Sequence, residues 1–250
     1  MKPQPTRAEL VLSSFVPTAV YARESTEFHT RLCLYNYFSE LFPEIKTSAK
    51  VHMWFFDREG NLAAECTRHI PYRGQLQFDL RELGLEFEGM AAVSLIPETL
   101  PEIKPKRVAT GYYAYYYDNH GHADFSHEWE SLRFTAADSL PWTCVVRPLL
   151  TPRTELIVMN AYSGDDLSET KSNWTARLRT AQAEVVAERQ MQPLNLRGTV
   201  RLPLNDIFPD VAVLAQTHGV LAFEAKGRNI MGPLTYVVTP GGDFNIHHFC

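Results

Sequence analysis

The sequence predicts an all-β protein made of two tandem antiparallel β-sandwich domains related by internal duplication, residues 1–135 and 136–250. Three observations carry this expectation. Short apolar runs closed by turn formers recur along the chain, as in residues 31–36 and 155–160, which is the pattern of strands buried in a sandwich. Sliding the sequence on itself by 124 residues aligns Pro17 with Pro141, Arg23 with Arg147, Thr30 with Thr154, Asn36 with Asn160 and Ser39 with Ser163. The same offset sets Arg73-Gly74 on Arg197-Gly198 and Leu80 on Leu204. Finally, residues 110–129 and 231–249 share an order of features: glycine, an aromatic or β-branched run, a turn, Asp-Phe, then histidine near an aromatic.

Each element follows from its residues. Residues 51–56 are apolar, the turn Asp57-Arg58-Glu59-Gly60-Asn61 follows, and a second strand runs through Cys66, which makes a hairpin. Residues 75–80 and 199–204 alternate polar and apolar, so each has one wet face. Residues 90–96 and 220–225 supply a further strand per copy. Helix is expected only as single turns at 80–85 and 204–208. Residues 175–190 are rich in Ala, Arg, Gln and Glu and favour helix by propensity. The repeat nevertheless sets them opposite the 51–65 hairpin, so strands are expected. Residues 97–105 read as an exposed proline-rich connection and 130–140 as the junction between copies.

Composition sets bounds on function. At 250 residues the chain buries a large core, and 45% hydrophobic with 21% charged residues is ordinary for a globular protein. A net charge of −5 argues against nucleic acid as a partner, and no run approaches the roughly 18 apolar residues of a membrane helix, so membrane insertion is not expected. Cys33, Cys66, Cys144 and Cys250 form no CxxC pair and read as free thiols; with no signal-peptide core at the N-terminus, the expected location is cytoplasmic.

The strand ending Leu34-Tyr35-Asn36, the apolar strand 51–56, the Asp57-Arg58-Glu59 turn, Pro71 and the alternating strand closing at Asp79-Leu80 together resemble the sensory rhodopsin transducer family of small β-sandwich proteins. The resemblance covers about fifty residues of the first copy. It implies a non-enzymatic, oligomerising sandwich that binds a partner or small ligand.

Three clusters are candidates for function. In Tyr112-Tyr113-Ala114-Tyr115-Tyr116-Tyr117, alternation puts Tyr113, Tyr115 and Tyr117 on one strand face. Exposed tyrosines there make a flat platform suited to sugars, peptides or another subunit, with Trp129, Asp124, Arg23 and Arg147 as further ligand contacts. His120-Gly121-His122 with His127 offers ligands for zinc or another transition metal if the histidines share a strand face; the competing reading is a polar hairpin tip. His247 comes near His127 if a pseudo-twofold relates the copies. Nucleotide-loop and GxSxG motifs are absent from the sequence. The expectation is therefore a non-catalytic, homo-oligomeric module without a cofactor, binding a partner protein or small polar ligand. A metal protein using His120, His122, His127 and His247, and a carbohydrate binder using Tyr113, Tyr115 and Trp129, are the alternatives.

Overall fold

Alternating and continuous apolar runs give strands throughout, and the chain is all-β in a computed structural model that describes residues 15–99, 108–109, 111–127, 130–140, 142–151, 153–164 and 170–247. In the first half the strands are β1 (Phe15–Val16), β2 (Thr18–Glu24), β3 (Phe28–Tyr35), β4 (Ala49–Asp57), β5 (Leu62–Ile70) and β6 (Gln75–Asp79). They continue with β7 (Phe87–Pro97), β8 (Val108–Ala109), β9 (Tyr112–Asp118), β10 (Ala123–His127) and β11 (Glu130–Ser131). The second half has β12 (Thr143–Val146), β13 (Arg153–Met159), β14 (Lys171–Ser172), β15 (Trp174–Arg179) and β16 (Val185–Gln190). After these come β17 (Leu194–Asn195), β18 (Thr199–Pro203), β19 (Leu221–Gly227), β20 (Leu234–Val238) and β21 (Phe244–His247). The segment that favours helix by propensity is thus the β15–β16 hairpin, because burial of Trp174, Ala176 and Leu178 on one face outweighs the propensity of its polar residues.

The two halves carry the same strand orders. The sheet β10-β9-β3-β6 is matched by β21-β20-β13-β18, and β2-β7-β4-β5 by β12-β19-β15-β16. Local detail repeats as well. Asn36 and Asn160 are fully buried, each receives its strand's last turn by donating its backbone N–H to Gly74 O and Gly198 O, and each side-chain amide ties down neighbouring loops. Arg73 and Arg197 both adopt positive φ (55° and 57°) ahead of the paired glycines. A bulge at Ala63 of β5 faces the Phe55–Phe56 step of β4, and one at Val186 of β16 faces the Leu178–Arg179 step of β15.

Three expectations are corrected. Only the last strand aligns differently from the echo: Tyr115 and Tyr236 are equivalent through their partners Arg31 and Glu155, in step with the leading glycines Gly111 and Gly232, but they face Phe125 and Ile246 across the hairpins, so the Asp-Phe match is two residues out of register. The two hairpin loops are equally long. Asp118 to His122 and Thr239 to Asp243 are five residues each, with Gly121 and Gly242 both at φ 92°. Helix is more than single turns, since besides Leu80–Leu83, α1 (Phe38–Leu41) and α2 (Leu204–Ile207) there is α3 (Val211–His218). It buries Val211 and Ala215, four apart on one face, over the second core. The connection expected at 97–105 begins within β7, which runs through Pro97; residues 100–107 lie outside the described residues.

The core is not divided at the junction. One apolar cluster joins the two sheets of the first half and also takes in Ile157, Met159, Leu234, Phe244 and Ile246 of the second; the other cluster lies between β12-β19-β15-β16 and the far face of β18-β13-β20-β21. Strand β13 is therefore buried on both faces, and β2 and β7 likewise, which explains their continuous rather than alternating apolar runs.

At the joint, Thr199 donates its N–H to Arg58 O (3.0 Å), Asn195 Nδ2 to Glu59 O (3.1 Å) and Ile246 N to Asp124 Oδ2 (2.6 Å). The Phe28 ring packs on Phe244 and Tyr236 with centroids 5.0 and 6.0 Å away. Arg201 stacks over Tyr236 (4.6 Å) and reaches Glu88 (3.4 Å) in the first half and Glu155 in its own. Among the described residues no helix is long and apolar enough to cross a membrane.

Candidate functional site

The tyrosine strand β9 lies between β10 and β3, and its pleat sorts its side chains as the alternation predicts. Tyr112, Ala114 and Tyr116 point into the core, where Tyr112 and Tyr116 donate their hydroxyls to the backbone oxygens of Thr18 and Tyr21. Tyr113, Tyr115 and Tyr117 point outward. The outward face is open: Tyr113 is 54% exposed, Tyr115 37% and Phe125 64%. With Arg31, Cys33 and Gln77 these three line a shallow depression of about 620 Å³. The Tyr113 ring meets Phe125 edge-on at 6.0 Å, and Tyr115 stacks on Tyr117 at 5.7 Å.

One end of this face is fixed by charge. Asp79, at the end of β6, accepts the Tyr117 hydroxyl, Arg31 Nη2 (3.1 Å) and Arg81 Nε (2.9 Å), while both guanidiniums lie over the Tyr117 ring (5.2 and 5.4 Å). Burial alone would raise the Asp79 carboxyl, but the bonds from Arg81, Tyr117 and Arg31 hold it far below the usual carboxylate range. Burial, followed by the neighbouring Asp79, pushes the Tyr117 hydroxyl up to about 12. Because the folded-state value is depressed, this network contributes stability that is present above the unfolded carboxylate value near 4 and is lost as pH falls below it. Asp79→Asn is accordingly expected to flatten the drop in urea midpoint between about pH 5 and pH 2 relative to the parent; parallel curves for the two proteins would contradict the network's role.

The histidines are placed differently. His120 and His122 occupy the tip of the β9–β10 hairpin, where Asp118 caps the turn by accepting the N–H groups of both and His122 Nδ1 at 2.8 Å. The polar-tip reading therefore holds, and the two rings, 6.2 Å apart, do not share a strand face. His127 is exposed at the other end of β10, opposite Tyr113, and does not approach them. Among the described residues no group of three or more His, Cys, Asp or Glu is arranged to hold a metal ion. His122 Nε2 instead lies 3.3 Å from Asp243 Oδ1 across the joint.

That contact and the Asp124–Ile246 bond step along β10 and β21 in the same direction, so the adjoining strands run parallel rather than about the pseudo-twofold that would set His127 beside His247. His247 ends β21 opposite Thr235, and its side chain lies outside the described residues, as does Trp129 entirely.

Arg23 and Arg147, paired by the repeat, have diverged. Arg23 stacks over Phe28 (5.4 Å) beside an inter-half cleft of about 370 Å³ that also borders His120, Glu88 and Arg201. Arg147 is exposed, and its carbonyl accepts the N–H groups of Leu150 and Thr151 in a turn.

The sequence reading missed Phe125, Cys33, Gln77 and Arg31. All four were signalled by parity, since each lies opposite an outward tyrosine or one strand further on.

The sequence matches no known family description, and no curated protein resembles it significantly. Among solved structures, a β-D-glucuronidase from Dictyoglomus thermophilum overlaps 93% of this chain and 43% of its own, at 10% identity and a TM-score of 0.14. The chain spans less than half of that enzyme, and a likeness so slight carries no argument.

Proposed function

We propose that this protein is a non-catalytic binding and assembly module whose recognition surface is the outer face of β10-β9-β3-β6. One observation carries the reading. The equivalent face of the second half, Glu155, Ile157, Arg201, Leu234, Tyr236 and Ile246, is already an interface, packed against the first half, whereas Arg31, Cys33, Gln77, Tyr113, Tyr115 and Phe125 are its uncovered counterpart. Three large aromatics on one open sheet face are more than the scattered apolar exposure of an ordinary surface. Tyrosine suits such a face because it supplies contact area with a polar edge at low entropic cost. Duplication of an ancestral sheet-forming unit accounts for the shared strand orders. A cytoplasmic setting belongs to the same reading, supported by the free thiols Cys33, Cys66 and Cys144.

The partner is a protein or a small polar ligand. Carbohydrate is a second reading, favoured by the flat Tyr113 and Tyr115 rings beside the hydrogen-bonding Gln77 and Arg31. Zinc or another transition metal would require ligands beyond the separated His120, His122 and His127.

Tyr115→Ala and Phe125→Ser, which remove exposed side chains, are expected to leave folding intact. Each should weaken self-association in light scattering, or a glycan-array signal, by about tenfold, the equivalent of ~1.4 kcal/mol. Undiminished signals from the double variant would refute the assignment of this face.

A further inference from the structure

The joint between the halves is head-to-tail, and its two sides each have an uncovered counterpart in the same molecule. On the second half it uses the outer face of β18-β13-β20-β21, whose equivalent is the aromatic face described above. On the first half it uses the far side of β2-β7-β4, where Tyr21 pairs with Met90 and Met90 with Phe56. Tyr21 donates its hydroxyl to Glu88, which Arg201 reaches from the second half, and Phe56 lies under Arg197 at 4.8 Å.

The equivalents of Tyr21, Met90 and Phe56 follow from strand pairing. Val20 and Phe55 both face Ala91, just as Cys144 and Leu178 both face Phe223, so the next residues correspond as Val145, Ala222 and Arg179. These three lie on the outer face of β12-β19-β15-β16, only partly buried, with Val220 51% exposed at its border. The molecule thus ends in an open copy of each side of its own internal joint.

We infer that a second copy of this chain docks there, the outer face of its β12-β19-β15-β16 sheet covering the Tyr113, Tyr115 and Phe125 face of the first. This deepens the binding reading above and rests on it.

The chemistry of the internal joint supports the match. Arginine–aromatic stacking lies at that joint: Arg197 of the second half covers Phe56 of the first, while Arg201 stacks on Tyr236 within the second half and reaches across to Glu88. The open faces divide the same materials between them. One carries Tyr113, Tyr115 and Phe125, and the other carries Arg177 and Arg179, held upright by Glu224 (Arg179 Nη2 to Oε2, 2.7 Å) beside Val145 and Ala222. Apolar area is available on both sides, and these arginines are already paired, Arg177 with Glu188, Arg179 with Glu224 and, on the aromatic face, Arg31 with Asp79. A heterologous contact of this kind does not close on itself as a twofold dimer does; it propagates into a ring or an open filament.

The test is light scattering on the full chain and on two variants, Tyr115→Asp on the aromatic face and Val145→Asp on the opposite one, with circular dichroism to establish folding and Val220→Asp as a second change should Val145→Asp not fold. The parent is expected to gain mass beyond a dimer as concentration rises to about 100 µM, where a contact with a Kd of some tens of micromolar is populated. Each variant alone should remain at the mass of one chain, and an equimolar mixture should form a one-to-one dimer through the two intact faces.

A mixture that stays monomeric, or association lost with Tyr115→Asp but kept with Val145→Asp, would overturn the head-to-tail contact and leave the aromatic face as a binding surface. A strictly monomeric parent would overturn self-docking in the same way. Association unaffected by either variant would overturn both this inference and the function it rests on.

Discussion

Arg201→Met is expected to destabilise the protein by about 3–5 kcal/mol, the usual cost of removing one partner from a buried ion pair. The residue stands on β18 with its guanidinium between two carboxylates, Glu155 in its own half and Glu88 in the other, and above the Tyr236 ring. Glu155 is only 3% exposed, so losing Arg201 leaves it with the more exposed Arg153 alone. Glu88 behaves consistently: burial would raise its carboxyl, but the Tyr21 hydroxyl and then Arg201, Arg23 and Arg58 hold it below the usual range. Its contribution is therefore present at neutral pH and is lost as pH falls through the carboxylate range. Urea denaturation measures the loss. The companion double variant Arg201→Met/Glu155→Leu, which removes the orphaned charge as well, should recover most of it. If the single variant unfolds with the parent's midpoint, the joint is not held by this cluster.

Gly60→Ala should cost about 2–5 kcal/mol, combining left-handed backbone strain with overpacking. Gly60 turns the β4–β5 hairpin at φ 84°, and a Cβ built there would overlap the carbonyl oxygen of Leu196 in the second half. Gly84 provides the control. Its φ is 66°, but nothing lies within 4 Å of a Cβ at that site, so Gly84→Ala bears the strain alone, about 1–2 kcal/mol. The difference in urea midpoint between the two variants isolates the backbone approach of the halves. Equal losses would mean that the Gly60–Leu196 contact contributes nothing.

The parts of the fold legible in the sequence are those set by local pattern. Strand alternation placed Tyr113 and Tyr115 outward and Tyr112 and Tyr116 inward, and the 124-residue offset recovered Asn36 with Asn160 and Arg73 with Arg197. Those residues repeat because each makes a hydrogen bond or a backbone conformation that little else supplies. Asp124-Phe125 and Asp243-Phe244 misled because the two pairs stand at different places, the first within β10 and the second at the turn where β21 begins, so the match in letters is not a match in position.

The joint was not legible at all. Whether an apolar strand buries its second face depends on which layer covers it, and Ile157, Leu234 and Ile246 look no different in sequence from a single-sandwich core. The histidines at the 118–122 turn were a compositional signal without the strand geometry that chelation requires.

Cys33 offers the most direct test of the recognition face, because its thiol lies on that face between Tyr113 and Gln77, while Cys66 lies on β5 of the other sheet. Burial raises both thiols, and Cys66 serves as the internal reference. Alkylation rates measured at each cysteine by mass spectrometry across a dilution series should show Cys33 increasingly protected as concentration rises, with Cys66 unchanged and the protection abolished in Tyr115→Asp. Cys33 reacting at one rate throughout, or the two thiols changing together, would contradict the claim that this face is where one copy of the chain meets another.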